Sequence, residues 1–235
     1  MRIWTIGHST RTIDEFVSLL KENEINLLAD VRAWPGSRHY PQFNKEALAE
    51  SLSAHGIRYE HFLELGGRRR PRSDSKNTAW RNASFRGYAD YMETEQFQKG
   101  VERLLDVATE AGASAIMCAE AVWWRCHRSH IADYLKARGV EVLNILGANK
   151  VEPHPYTSAA RIVNGELSYT ADSLLLGVCV KCLLLLNWRL TQTPYKLPSA
   201  WISDAPEKQT DPAGHVLNSV NEWAIDFHFD RRRRR

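Results

Sequence analysis

Cysteine is scarce in this chain, with four among 235 residues, too few for a disulfide scaffold. Long apolar runs are scarce as well. The leucine-rich stretch at 174–186 covers thirteen residues and is interrupted by Lys181, short of the roughly 18 that a spanning helix needs. The first fifteen residues hold Arg2, His8, Arg11, Asp14 and Glu15 and no apolar segment, so no signal-peptide pattern stands there. These absences lead us to expect a cytoplasmic protein with reduced thiols and no membrane partner.

An excess of one charge is lacking too. The net charge is +3, but Arg231 to Arg235 supply five of the 31 basic residues, and the 26 that remain face 28 acidic ones. The body of the chain is therefore not globally basic, which removes the simplest argument for a nucleic-acid binder. A local basic cluster remains at Arg68, Arg69, Arg70, Arg72, Lys76 and Arg81, against the single acid Asp74. Hydrophobic residues at 43% and charged residues at 25% are ordinary globular usage and exclude a collagen-like, mucin-like or wholly disordered chain. The length suits one domain, or one domain with an appendage.

Strand and helix patterns alternate over the first 150 residues. Residues 2–6 read as a strand ending at Gly7. Thr12 and Glu15 have the spacing of a capping box, and Ile13, Phe16, Val17 and Leu20 follow on one helical face. Residues 25–31 are apolar almost throughout, as expected of a strand covered on both faces. Asn44 is placed to cap a helix that stops at Gly56, and residues 57–62 give a third strand. A Gly-, Arg- and Pro-rich loop runs from Gly66 to about Ala83. Helical spacing returns at 85–92 and 94–108, a fourth strand begins at Ser114, a helix runs from Cys126 to Arg138, and a fifth strand covers 140–146.

Such alternation predicts an α/β fold, with about five mostly parallel strands between helices on both faces in a Rossmann-like three-layer arrangement. Asn164-Gly165 between short apolar segments predicts a hairpin near the end of the domain. We expect the domain to span 1–171. Residues 172–235, punctuated by Pro194, Pro198, Pro206 and Pro212, read as an atypical irregular extension.

Ligands of open parallel sheets bind beyond the carboxyl ends of the strands. Polar residues recur at those ends here. The first strand leads into His8 and Ser9, the second into Asp30 and Arg32 on one face, the third into Gly66-Gly67, Arg68 and Arg69, and the fourth into Cys118 and Glu120 on one face. The helix after the fourth strand opens with Cys126, His127 and Arg128, where free N–H groups and the helix dipole favour a thiolate or a bound anion.

The segments TIGHST at 5–10, DVR at 30–32, PGSRHYPQFN at 35–44, LGGRRRP at 65–71, FRGYADYM at 85–92, CAE at 118–120, CHR at 126–128 and HPYTSAARIV at 154–163 together resemble the family called domain of unknown function 488. The resemblance covers about residues 1–170. It implies a compact α/β fold and assigns no reaction. The chain from 172 onward departs from the family pattern, and the pentaarginine end is foreign to it.

Each residue also has a plainer reading. Cys118 is either a small buried hydrophobe or a reactive group beside Glu120. Cys126 is either a packing residue near a helix start or a nucleophilic thiolate. Asp30 and Arg32 pair with each other and can still present the guanidinium to an anion. Glu120 is a salt-bridge partner or a general base. Cys118, Cys126, His127, His130 and His8 are candidate zinc ligands by type, but the C-x7-C-H spacing matches no standard zinc knuckle, so no metal is assigned, and no cofactor is named. Cys179 and Cys182 form an isolated CxxC without the context of a redox motif.

The leading expectation is an enzyme acting on a small anionic substrate, phosphate-bearing or nucleotide-like. Cys126, His8, Glu120 and His127 would do the chemistry, Ser9, Asp30, Arg32, Arg68, Arg69 and Arg128 would hold the anion, and Cys118 would be a second thiol. The alternative is a nucleic-acid or nucleotide-binding module that uses loop 66–86 without catalysis. A third reading is redox sensing through Cys118 and Cys126.

Overall fold

The computed structural model of the chain describes residues 1–171. The expected extension, its CxxC pair and the pentaarginine end lie outside the described residues. Five strands run parallel: β1 (Arg2–Gly7), β2 (Leu27–Asp30), β3 (Arg58–His61), β4 (Ser114–Cys118) and β5 (Glu141–Gly147). They stand in the order β3-β2-β4-β1-β5, and β6 (Lys150–Pro153) adds to β5 antiparallel at the edge. The edge strand β6 escapes sequence reading because all four of its residues are exposed and carry no apolar alternation.

Among the described residues, five helices cover the sheet. The helices α1 (Ile13–Glu22) and α2 (Lys45–Ser53) pack on one face, where Phe16, Leu20, Leu48 and Leu52 meet Ile6, Leu28, Ala115 and Met117. The helices α3 (Ala83–Met92), α4 (Glu95–Ala111) and α5 (Arg128–Ala137) pack on the other. There Tyr88, Phe97, Leu104 and Ile131 meet Ile3, Ala29, Ile116 and Cys118. Period-2 alternation along β4 sends Ala115 and Met117 to one layer and Ile116 and Cys118 to the other. The three-layer α/β arrangement expected from the sequence is thus present, with one more strand.

Local signals behave as their chemistry dictates, with two exceptions. Thr12 and Glu15 close the capping box of α1. Asn164 and Gly165, with φ of 53° and 85°, turn the hairpin of β7 (Arg161–Val163) and β8 (Glu166–Ser168). Asn44, expected to cap α2, makes no side-chain cap bond; its side-chain Oδ1 accepts instead from the Ser37 amide at 2.6 Å and ties down the preceding loop. The last helix begins at Arg128 rather than Cys126, because a 3-10 turn at Trp123–Arg125 ends just before it.

This topology prepares a crevice. Neighbours β1 and β4 pair through Gly7 and Cys118. The chain leaves β1 through α1 on one face and leaves β4 through α5 on the other, so their carboxyl ends open a gap between layers.

Candidate functional site

The ladder between β1 and β4 continues past the strands, with the His8 amide donating to Cys118 O at 3.1 Å and the Ser9 amide to Ala119 O at 2.9 Å. The two chain ends are pressed together at Gly7. A Cβ there would stand 1.8 Å from Glu120 O, so no side chain fits. Arg128 holds this contact. Its Nη1 donates to Ile6 O at 2.9 Å and Glu120 O at 2.8 Å, and its Nη2 to Ala121 O at 3.0 Å. The side chain is only 1% exposed and lies outside the cavity lining. Expected from the sequence to hold an anion, Arg128 is spent on three backbone carbonyls, while its Nε has no partner.

The clamp sets the position of the residues beside it. Cys118 ends β4, and Cys126 precedes His127, the N-cap of α5. His127 Nδ1 lies 3.6 Å from Cys126 Sγ and 3.8 Å from Cys118 Sγ. The nitrogen and both sulfurs fall within 4.8 Å of one another. On its far side the His127 ring donates from Nε2 to Val31 O at 2.8 Å. In the neutral ring that bond leaves the lone pair on Nδ1, facing both sulfurs. Glycine at 67 lets the loop pack against the face of the His127 ring, since a Cβ there would come within 2.8 Å of Nδ1 and 3.0 Å of Cγ.

Both sulfurs are buried. The hydrogen bond from Cys126, opposed by burial and reinforced by His127 and Arg128, holds the Cys118 thiol well below the ordinary thiol range. Burial, together with the neighbouring Cys118, pushes Cys126 well above it. The sequence favoured Cys126 as the thiolate because it stands at a helix start. Here it is Cys118, not Cys126, whose thiol is held toward the charged form.

Above this group opens a cavity of about 420 Å³, lined by Cys118, Cys126 and His127 with Arg32, Arg68, Arg125 and Glu120. Arg32 is buried and held rigidly. Its Nε donates to Asp30 Oδ1 at 2.9 Å and its Nη2 to Asp30 Oδ2 at 2.6 Å. Burial works against the Arg32 charge, but these bonds outweigh it and raise its pKa further. The Tyr59 hydroxyl donates to Asp30 Oδ2 at 2.8 Å, and burial with that carboxylate raises the phenol's pKa.

His8 is 4% exposed and stacks on Phe43 at 4.2 Å. Its Nδ1 faces Ser9 O at 2.9 Å and its Nε2 faces Arg32 Nη1 at 3.4 Å. Burial lowers its pKa, partly countered by the bond to Ser9. His8, Ser9 and Asp30 thus stand behind Arg32 rather than in the cavity wall. Arg68 is exposed over Trp34, at 5.3 Å from the ring, while Arg69 packs 3.7 Å from the Tyr91 ring centre and bonds Gly66 O.

Three contributors escaped the sequence reading as site residues. Arg125 stands in the 3-10 turn before α5 and lines the cavity, but it lies outside the strand-end pattern. Tyr59 lies on β3 with nothing local to mark it, and Gly67 reads as a loop glycine until His127 is placed against it. The doubled glycine of LGG was the available signal.

The fold and this strand-end group define an α/β protein with a thiol- and imidazole-bearing cleft at the carboxyl ends of its strands. Residues 12–135, more than half of the chain, match the family model described as Domain of unknown function DUF488, and the chain belongs to that family. No curated protein and no solved structure matches it.

Proposed function

We propose that the protein is an enzyme acting on a small anionic substrate held in the cavity above Cys118, Cys126 and His127. The observation that carries this reading is the convergence of two thiols on the lone-pair side of one imidazole, at the floor of an arginine-lined cavity. His127 Nδ1 is placed to take a thiol proton, which makes the sulfur a nucleophile, and the bond to Val31 O keeps the ring oriented for it. Arg68 and Arg125 face the cavity against one carboxylate, Glu120, and Arg32 adds a guanidinium whose charge is paired with Asp30, so the electrostatic preference is for an anion. The volume suits a small molecule. Arg128 is a positioning residue in this reading, as are Asp30, Tyr59 and His8 through Arg32.

The alternative, a nucleic-acid face on loop 66–86, draws less support from the geometry. Arg69 is committed to Tyr91 and Gly66 O, and Arg72 is paired with Glu93. The cluster therefore offers fewer free cations than its sequence suggests.

Paired alkylating agents of opposite character test the proposal on the full chain, read site by site by mass spectrometry so that Cys179, Cys182 and the arginine tail do not interfere. The expected result is that iodoacetate, an anion, gains on neutral iodoacetamide at Cys118 or Cys126 relative to a free thiol, and that inorganic phosphate or a nucleoside monophosphate protects. Arg68→Ala and Arg125→Ala should each reduce the gain. Preference for iodoacetamide with no protection by either anion would overturn the reading.

A further inference from the structure

The same three donors suit a metal ion. From the geometry we infer that Cys118 Sγ, Cys126 Sγ and His127 Nδ1 form a three-ligand site for a thiophilic divalent cation, zinc being the natural probe, with the fourth position filled from the cavity. Spacing alone hid this, because the ligands come from a strand end and from the turn before a helix rather than from one knuckle. The inference requires the cavity to be the working site, but does not require either sulfur to be a nucleophile.

Four observations converge. First, a tetrahedral zinc ion, with Zn–S near 2.3 Å and Zn–N near 2.0 Å, puts a sulfur and a nitrogen ligand roughly 3.5 Å apart. The two sulfur–nitrogen edges here are 3.6 and 3.8 Å, close to that value, and the two sulfurs lie within 4.8 Å of each other. Second, metal-ligating histidines hand their other N–H to a carbonyl or carboxylate, which fixes ring and tautomer. His127 Nε2 makes that bond, to Val31 O at 2.8 Å. Third, the backbone at Gly67 packs against the face of the imidazole, where a Cβ would stand 2.8 Å from Nδ1 and 3.0 Å from Cγ, and so helps to fix the ring plane that aims the Nδ1 lone pair. Fourth, among the described residues no fourth histidine, cysteine or carboxylate belongs to the group. Two cysteines and one histidine with an open vertex are a ligand set of catalytic rather than purely structural zinc.

Loading balances simply. Both sulfurs bind as thiolates, so whichever S–H protons they still carry leave to solvent as the two S–metal bonds form. His127 contributes its Nδ1 lone pair and keeps the Nε2 proton. Two thiolates cancel the charge of the ion, and the nearby Arg32, Arg68 and Arg125 bias the remaining vertex toward an anion. What the ion would supply is Lewis acidity at the cavity floor.

The test uses the full chain with Cys179→Ser and Cys182→Ser, so that the CxxC pair cannot bind metal. Metal-stripped protein is titrated with zinc against a chromophoric chelator, and with cobalt read in the visible and near ultraviolet. Expected are one zinc per chain, the intense visible bands of tetrahedral cobalt with thiolate-to-cobalt charge transfer, and protection of both Cys118 and Cys126 from iodoacetamide by one equivalent of zinc. Cys118→Ser, Cys126→Ser and His127→Ala should each weaken zinc by more than the ~100-fold that marks the upper end of outer-shell losses. Gly67→Ala, which keeps all three ligands, should weaken it at least tenfold by pushing the imidazole out of line with the two sulfurs.

Octahedral cobalt spectra, or thiols still open to alkylation in the presence of zinc, overturn the site without relying on any variant. The two readings also separate. A chain that binds zinc while iodoacetate gains nothing refutes the anion-directed function and keeps the metal site. A chain that selects iodoacetate but ignores zinc does the reverse.

Discussion

Two buried polar groups flank α5, and they are built on opposite plans. On one side Asp133, fully buried, accepts from His154 Nε2, from the Thr157 amide and hydroxyl, and from the Tyr169 hydroxyl. His154 is in turn tied through Asn144 to Thr5. Every bond lies between atoms of the protein, and the chain from β1 to the last described residues is stitched to α5 by it. On the other side Cys118, Cys126 and His127 share one nitrogen between two sulfurs and face a cavity. A polar cluster whose bonds are all spent stabilises a fold. One that keeps spare lone pairs beside a cavity is available for a ligand.

The comparison is easiest to break at Asp133. Asp133→Ala leaves four donors without their acceptor, and since bonds to a charged acceptor contribute about 1.5–3 kcal/mol each and do not add, the net loss should be at least ~3 kcal/mol in urea unfolding. A loss under ~1 kcal/mol would mean the network is not structural. Next comes Gly67→Ala. It should slow alkylation of Cys118 and Cys126 by about tenfold through crowding of His127, while overpacking costs ~1–3 kcal/mol. Unchanged alkylation would show that loop 66–69 moves freely off the imidazole.

Cys118→Ala and Cys126→Ala sharpen the contrast from the other side. Each removes one sulfur, so about 1 kcal/mol of stability should be lost, far less than at Asp133, while alkylation ends at the substituted position and the other thiol still reports. The smallest effect concerns Asp90, whose carboxylate accepts from the Arg72 amide, Ser75 and Asn77. Burial opposes its charge but these bonds win and lower its pKa. Its contribution is therefore present above the ordinary carboxylate range and lost as pH falls through the lowered folded value. Asp90→Asn should flatten acid unfolding over that range and leave neutral-pH alkylation of the cysteines unchanged. An acid limb identical in the variant would remove Asp90 from that role.

Much of the fold could be read locally. The capping box of α1, the apolar run of β2 and the Asn-Gly hairpin each state their structure within a few residues, because short-range sterics and hydrogen bonding decide them. The edge strand β6 could not be read, since an exposed edge needs no apolar pattern and takes its conformation from β5. In the site, Cys118, Cys126 and His127 each stood out as residue types at strand or helix ends, but their meeting depends on how β4 and α5 are brought together. The clearest divergence is Arg128. A basic residue at a helix start reads as an anion holder, and only the carbonyls of Ile6, Glu120 and Ala121, supplied by distant folding, reveal that its donors are already taken.

The bond between His127 and Val31 has a consequence for how this protein evolves and how it is dissected. Its acceptor is a peptide carbonyl, which every amino acid at position 31 would offer. The group that sets the proton inventory of the imidazole therefore leaves no signature in the identity of residue 31, which is free to vary among side chains that fit the core. A scan of alanine substitutions would pass over it, and so would a search for paired substitutions. Replacing the peptide with an ester between residues 31 and 32, which weakens that carbonyl as an acceptor, would reach it.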